Sequence, residues 1–234
     1  MKVLIIGSGA REHALAFALF RSAQKPEIYC IGSNQNPGIM QYSADYLVGD
    51  INDCSLVTTQ AALWDIDIAI VGPEAPLAAG IADALWQVGV AVIGPQKDIA
   101  RIETSKEFAR HLMAELNIPG LPDFRQFTHL TGVEEFLITL GEGNYVIKAN
   151  GLMGGKGVKV AGEHLFSFAE AIQFCEELFA AGQSIVIEQK LIGQEFSLIC
   201  LADGKRLIPM PLVQDHKRAY QNDRGPNTGG MGSY

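Results

Sequence analysis

Cysteine is scarce in this sequence. The 234 residues hold four, Cys30, Cys54, Cys175 and Cys200, and no two of them form a CxxC pair. All four sit in apolar or mixed segments, which points to small buried thiols in a reducing compartment and argues against a disulfide framework or a zinc site. Positive charge is also short: 18 Lys and Arg stand against 26 Asp and Glu, a net charge of -8. An acidic chain is not suited to coat nucleic acid or an anionic membrane, although a local cluster of donors can still hold a phosphate. Long apolar runs are missing. The opening MKVLIIGSGAREHA has one lysine before an apolar stretch that breaks at Gly7, far too short for a signal peptide or a membrane span. A soluble cytoplasmic protein is expected, a monomer or weak homodimer, with no nucleic acid or membrane as partner. No Cys/His set has metal-ligand spacing and no nucleophile–base pair stands out, so no metal ligand is assigned within the chain.

Hydrophobic residues make up 48% and charged residues 19%, enough to bury a substantial core in one large or two smaller domains. A strand is expected over residues 2–6, apolar without a break from Val3, as in a strand buried on both faces. A helix is expected over 11–22, strands over 28–31 and 46–48, and a helix over 55–63. A strand follows at 66–71, a helix at 78–88 and a strand at 90–93. Strand alternating with helix predicts an α/β, doubly wound parallel sheet over about the first hundred residues, with its strand ends lining one crevice. The pattern then changes. A helix at 105–116 is followed by strands at 124–127 and 145–149 around a helix starting near Thr131. Further on come a glycine-rich loop at 151–157, a strand at 157–161, a helix at 164–180 and a strand at 184–188. The stretches 196–201 and 206–209 read as a hairpin around Asp203-Gly204. This order suggests a small α+β lid on a larger base. Residues 214–234 are glycine-rich and polar, with no final helix or strand to tie them down.

Four segments carry chemistry. Gly7-Ser-Gly-Ala-Arg-Glu12 follows a strand and opens a helix, so backbone N–H groups and a helix amino terminus face an anion, with Arg11 as a further donor. A plain tight turn is the alternative. A nicotinamide cofactor is disfavoured because Glu12 stands where that fingerprint wants a third glycine for close helix–sheet packing. Gly151-Leu-Met-Gly-Gly-Lys-Gly157, just after Lys148, lets successive N–H groups converge on phosphate oxygens. It is not a Walker loop, since glycine follows the lysine, and a flap laid over phosphates fits better than a surface hairpin. Glu188-Gln-Lys-Leu-Ile-Gly-Gln-Glu195 can offer backbone groups to a base and a carboxylate to ribose hydroxyls. Gln214-Asp-His-Lys-Arg218 and Gly225-Pro-Asn-Thr-Gly-Gly-Met-Gly232 concentrate charge and glycine outside any helix pattern.

Five motifs in order resemble the glycinamide ribonucleotide synthetase family of the ATP-grasp superfamily. They are IIGSGAREHAL at 5–15, GPEAPL at 72–77, KANGLMGGKGV at 148–158, QDHKR at 214–218 and GPNTGGMG at 225–232. The similarity covers the whole chain, whereas the glycine loop alone would indicate only the superfamily. The resemblance implies a Rossmann-like substrate domain at 1–103, the start of an ATP-grasp base at 104–121, a lid at 122–189, and a base region at 190–234 that stops short. It implies ATP-dependent joining of glycine to 5-phosphoribosylamine through glycyl phosphate in purine synthesis, with ATP and Mg²⁺ as cofactors. The alternatives are another ATP-grasp carboxylate–amine ligase or a non-catalytic nucleotide-binding fragment.

The family's roles carry over to particular positions. Lys106, Lys148, Gly151, Gly154, Gly155, Lys156 and Gly157 are expected at the ATP phosphates, Glu188 and Leu191 at the adenine, and Glu195 at the ribose. Gly9, Arg11, Glu12, Pro73, Glu74 and Ala75 are expected on the phosphoribosylamine side. Asp215 and Lys217 are expected to be catalytic, with Asn227 and Thr228 near the substrates. The sequence departs from the family at Asn150, which stands where Asp is usual, at Met153-Gly154 in place of two alanines, and over 32–38. The family's Mg²⁺ ligands are expected beyond residue 234, so this chain alone is expected to be inactive.

Overall fold

The computed structural model describes all residues except 152–156, 223 and 229, and the side chain of residue 227. The chain divides into two units, one comprising Met1–Leu121, Ala149–Leu152 and Gln183–Val186, the other Pro122–Lys148, Met153–Gly182 and Ile187–Tyr234.

The first unit runs β1 (Lys2–Ile6), α1 (Ala10–Arg21), β2 (Glu27–Gly32), α2 (Pro37–Met40), β3 (Asp45–Val48), α3 (Cys54–Trp64), β4 (Ile68–Val71), α4 (Glu74–Ala79), α5 (Ile81–Gln87), β5 (Ala91–Ile93), α6 (Lys97–Thr104) and α7 (Lys106–Glu115). The five strands are parallel in the order β3-β2-β1-β4-β5. This is the doubly wound sheet expected from the alternation. The side chains of β1 show why the run is apolar from Val3 to Ile6. Leu4 and Ile6 pack with Val57, Ala61, Ile81 and Leu85 on one face. Ile5 packs with Ala16, Cys30 and Ile39 on the other. Both faces are covered, so neither parity can be polar. Each such side chain contributes about 1.5–3 kcal/mol by its removal from water.

Two local expectations change here. The helix read over 78–88 is two helices, α4 and α5, which meet at Gly80 with φ of 98°. Glycine adopts that left-handed turn without a Cβ clash, so the periodicity continues across a real break. Helix α6 escaped the sequence reading because it is short and buries only Ala100.

The second unit runs β6 (Phe124–Phe127), α8 (Val133–Leu140), β7 (Tyr145–Ala149), β8 (Val158–Val160), α9 (Phe168–Ala180) and β9 (Ile185–Gln189). The chain continues with β10 (Cys200–Ala202), β11 (Leu207–Pro209), β12 (Arg218–Tyr220) and β13 (Arg224–Asn227). Four of these strands form a sheet ordered β6-β9-β7-β8, with β7 and β8 antiparallel. Its buried side chains include Tyr145, Ile147, Ile185 and Ile187, together with Leu137 of α8 and Phe174 and Leu178 of α9. Helix α9 starts four residues later than the sequence suggested. Ser167 accepts the Glu170 N–H at 3.2 Å, and the Glu170 carboxylate reaches back to the Phe166 N–H at 2.8 Å. This Ser-x-x-Glu cap was readable and marks the true start.

The hairpin around Asp203-Gly204 forms: Cys200–Ala202 pairs with Leu207–Pro209, and the pairing continues through the Met210 N–H to the Ile199 carbonyl at 2.8 Å and a bridge between Ser197 and Val213. Asp203 accepts the Lys205 and Arg206 N–H groups at 2.9 and 2.6 Å, which closes the turn and holds its carboxyl below the usual value. Leu201, Leu207 and Ile208 of this hairpin are exposed. The tail is more ordered than its composition suggested. Strands β12 and β13 pair, Gln214 and Tyr234 exchange both backbone hydrogen bonds, and His216 donates to Gly232 at 3.0 Å. Among the described residues, no helix is long and apolar enough to cross a membrane.

Candidate nucleotide and amine sites

In the first unit the Gly7–Glu12 loop joins β1 to α1 at the carboxyl edge of the sheet. Glu12 is only 4% exposed, and its carboxylate accepts the Gly9 N–H at 2.6 Å. The sequence reading treated bulk at this position as an obstacle to helix–sheet packing, and the structure shows how it is accommodated. A Cβ at Gly72 would lie 2.0 Å from Glu12 Oε1, and one at Gly7 2.8 Å from its Cγ. Two glycines on neighbouring strand ends therefore make the pocket into which this side chain folds. Glu12 faces inward and shapes the loop rather than presenting itself to solvent.

Arg11 lies outside this pocket. It donates to the Gly72 carbonyl and stands 3.4 Å from the Glu74 carboxylate. Both side chains are about half exposed, so the pair is screened and contributes little to stability. Glu74 opens α4 directly after Pro73, with Ala75 following in its first turn. Arg11 thus meets Gly72 and Glu74, and Pro73 lies against Gly7, at the same strand ends as Gly9. Sequence reasoning left Asn36 undecided. Its carboxamide oxygen accepts the Gly38 and Ile39 N–H groups, and its amide donates to the Ser8 carbonyl at 3.0 Å. It both caps α2 and fixes the Gly7–Glu12 loop. Cys30 lies beneath, its thiol pushed up to about 12 first by burial, with the Glu12 charge adding to it.

A second set gathers at the start of α7, within the same unit. Ser105 caps the helix by accepting the Phe108 N–H at 3.2 Å. Lys106 donates to the Gly151 carbonyl at 2.7 Å. Asn150 accepts the Glu107 N–H at 3.4 Å and donates its amide to the Glu107 carboxylate at 3.3 Å. Glu107 carried no role in the sequence reading.

The second unit holds the remaining groups as ion pairs. Lys148 on β7 pairs with Glu188 on β9, with side-chain exposures of 22% and 7%. Neighbouring strands with matched side-chain parity make this meeting possible. Lys217 pairs with Glu195, both largely exposed. Glu163, not predicted, receives Arg218 and stands 3.6 Å from Lys190, which also donates to the Ala161 carbonyl. Thr228 accepts the Gly230 N–H and donates to the Lys217 carbonyl at 2.9 Å, which fixes the backbone beside that lysine. Asp215 lies across from Ser233 in an isolated bridge and against Gly230. Leu191 is exposed and Gly157 is buried at the entry to β8. Gly154, Gly155, Lys156 and the side chain of Asn227 lie outside the described residues.

No three His, Cys, Asp or Glu are arranged to hold an ion among the described residues, and Glu163, Glu188 and Glu195 each face a cation. So paired, these three glutamates are not free to bind Mg²⁺, which usually takes one or two carboxylates.

Comparison with known proteins agrees with the motif order. Residues 1–103 match the family described as phosphoribosylglycinamide synthetase, N domain, and residues 104–234 match its ATP-grasp (A) domain. A phosphoribosylamine–glycine ligase of Methanocella arvoryzae is 48% identical, with 100% of this chain aligned to 53% of the relative. That of Methanopyrus kandleri is 45% identical over 100% of this chain and 53% of its own length. The chain thus spans about half the length of the curated relatives it matches. The crystal structure of a Thermotoga maritima phosphoribosylamine–glycine ligase superposes with a TM-score of 0.79 at 29% identity, covering 100% of this chain and 55% of that one. An ADP complex of an N5-carboxyaminoimidazole ribonucleotide synthetase gives 0.71 at 17% identity over 95% and 55%, a likeness of fold alone.

Proposed function

The chain belongs to the phosphoribosylglycinamide synthetase family, and from that premise we propose that it carries nucleotide-binding and amine-binding groups of a ligase that joins glycine to 5-phosphoribosylamine at the expense of ATP. The observation that carries this reading is the Lys148–Glu188 pair, a lysine held inside a sheet at the root of a glycine-rich loop. An ammonium has three donors, so Lys148 can keep its carboxylate partner and still receive a phosphate oxygen. Lys106 is the second phosphate contact. The segment from Glu188 to Leu191 takes the adenine, with Glu195 at the ribose, and Gly9, Arg11 and Glu74 face the phosphoribosylamine.

The reaction runs in two transfers. A glycine carboxylate oxygen attacks the γ-phosphorus, the bond to the bridging oxygen breaks, and ADP leaves. The amine of phosphoribosylamine then attacks the carbonyl carbon of glycyl phosphate, the carbon–oxygen bond breaks, and phosphate leaves. Such transfers rest on alignment and charge neutralisation rather than on a protein nucleophile, which accounts for a site without a triad or acid–base dyad. Asp215 is suited to accept the proton that the attacking amine loses, and Lys217 to balance charge on the leaving phosphate. Glu163, Glu188 and Glu195 are each paired with a cation, so no step here is routed through a metal held by them.

The test is ADP release by the protein that carries this chain, with glycine and phosphoribosylamine each left out in turn. Release that requires both supports the reading. Release with a different amine, and none with phosphoribosylamine, would move the protein to another ligase of the superfamily.

A further inference from the structure

We propose that Asn150 is a positioning residue: through a matched amide–carboxylate pair with Glu107 it fixes where the glycine loop begins and so places Lys106 for a nucleotide phosphate. This rests on the nucleotide reading of Lys106 and the loop. The start of α7 and the stretch from Asn150 to Gly151 are fastened by contacts that run both ways. Asn150 accepts from the Glu107 N–H at 3.4 Å, lies 3.3 Å from the Ser105 hydroxyl, and returns its own amide to the Glu107 carboxylate at 3.3 Å. Lys106 crosses in the same place to the Gly151 carbonyl at 2.7 Å. The Asn150 backbone is held from behind, its N–H donating to the Ser184 carbonyl at 2.8 Å.

The chemistry of the pair requires an amide at one end. The helix terminus offers N–H donors, so position 150 must present an acceptor. The Glu107 side chain is an acceptor when ionised, so the same residue must also present a donor. Asn does both at once. An aspartate would keep the acceptor and set a second carboxylate against Glu107 with no proton between them. On α7, Lys106 faces the Gly151 carbonyl, and Arg110 and His111 follow Glu107 by three and four residues, one turn along the helix. On α6, Arg101 lies over the Phe108 ring at 4.0 Å, and the helix also carries Lys97, Asp98 and Glu103. The stretches 149–152 and 183–186 contain no titratable side chain.

A mutant cycle separates positioning from simple structural support. ADP affinity and melting temperature are measured for the wild-type chain, Asn150→Asp, Glu107→Gln, and the two together, between pH 5 and pH 8. Asn150→Asp alone should weaken ADP binding by about tenfold at pH 8, as expected for a like-charge contact at this distance, and by less at pH 5, where the two carboxylates can share a proton. Adding Glu107→Gln restores a donor facing the new carboxylate, so the double variant should bind ADP within about twofold of wild type at both pH values. A wild-type chain that binds ADP, with no rescue by Glu107→Gln or with a loss that is flat across pH, would overturn the proposal alone. A wild-type chain that does not bind ADP would overturn the nucleotide reading and this proposal with it. Melting temperatures that follow the same cycle in that case would reduce the pair to a structural contact.

Discussion

Replacing Lys148 with alanine should damage the protein in two ways that can be pulled apart. In the structure Lys148 pairs with Glu188, whose side chain is 7% exposed, while its own is 22% exposed. Removing one member of a buried pair strands the other and costs about 3–5 kcal/mol. Water reaches Lys148, so the lower end applies, about 3 kcal/mol, or about 6–12 °C in melting temperature for a chain of this size. Loss of the ammonium should also weaken ADP binding by about 1.5–3 kcal/mol, roughly 10- to 150-fold. The double variant Lys148→Met, Glu188→Leu removes both charges and fills the space with apolar atoms, so it should recover most of the melting temperature. It should not recover the affinity, since the phosphate still lacks its partner and the adenine contact at Glu188 is proposed to be by backbone. Thermal melts and ADP titrations of the three proteins decide the matter. If affinity returns together with stability, Lys148 is a structural residue and its assignment to phosphate is wrong. If Lys148→Ala melts with the wild type, the buried pair does not hold the sheet.

Three further outcomes follow from particular contacts. Gly72→Ala has no backbone penalty to explain away, yet its methyl would lie 2.0 Å from Glu12 Oε1. It should cost about 1–3 kcal/mol by overpacking, and Glu12→Ala in the same chain should relieve that cost, as read by chemical denaturation. Cys30 and Cys175 are both pushed up to about 12, mainly by burial. They should resist alkylation in the native chain at pH 8, while the partly exposed Cys54 and Cys200 react. The folded state holds these two protons after the unfolded chain has lost them near pH 8.5–9, so stability should fall as pH rises from there towards 12. Thr228→Val removes the hydroxyl that donates to the Lys217 carbonyl and accepts from Gly230. Hydrogen exchange at residues 214–218 and 230–234 should accelerate, and unchanged rates would show that the tail is held by its backbone ladder alone.

Much of the fold was legible because burial on both faces leaves a plain trace. Residues Val3–Ile6 of β1 and all of β4 are apolar, as suits strands covered on both faces. Helices α1 and α3 were placed to within about a turn by their spacing. The break between α4 and α5 was not, because the apolar rhythm passes through Gly80 while the backbone does not. The tail was misjudged for a related reason. Its order comes from backbone pairing between Gln214 and Tyr234 and from scattered side-chain contacts, such as the Tyr234 hydroxyl on Gln214 at 2.6 Å, which leave no periodic trace in sequence. Of the candidate site, the residues proposed to face a ligand announced themselves as glycines and lysines in quick succession. Their supports did not. Asn36, Glu107 and Glu163 are ordinary polar residues in sequence, and each acquires its role from a partner brought close by folding, at separations of 28 residues for Asn36 with Ser8 and 43 for Glu107 with Asn150. Glu12 stood out by its bulk, but the space that accommodates it, left by Gly7 and Gly72 on two different strand ends, is not legible in sequence.

The most direct measurement of the central claim is a calorimetric titration of this chain with ADP, repeated in the presence of excess NAD and with the Lys148→Ala variant. The account predicts saturable one-to-one binding of ADP that NAD does not abolish and that Lys148→Ala weakens by at least about tenfold. Binding that NAD displaces, or ADP binding indifferent to Lys148, would contradict it.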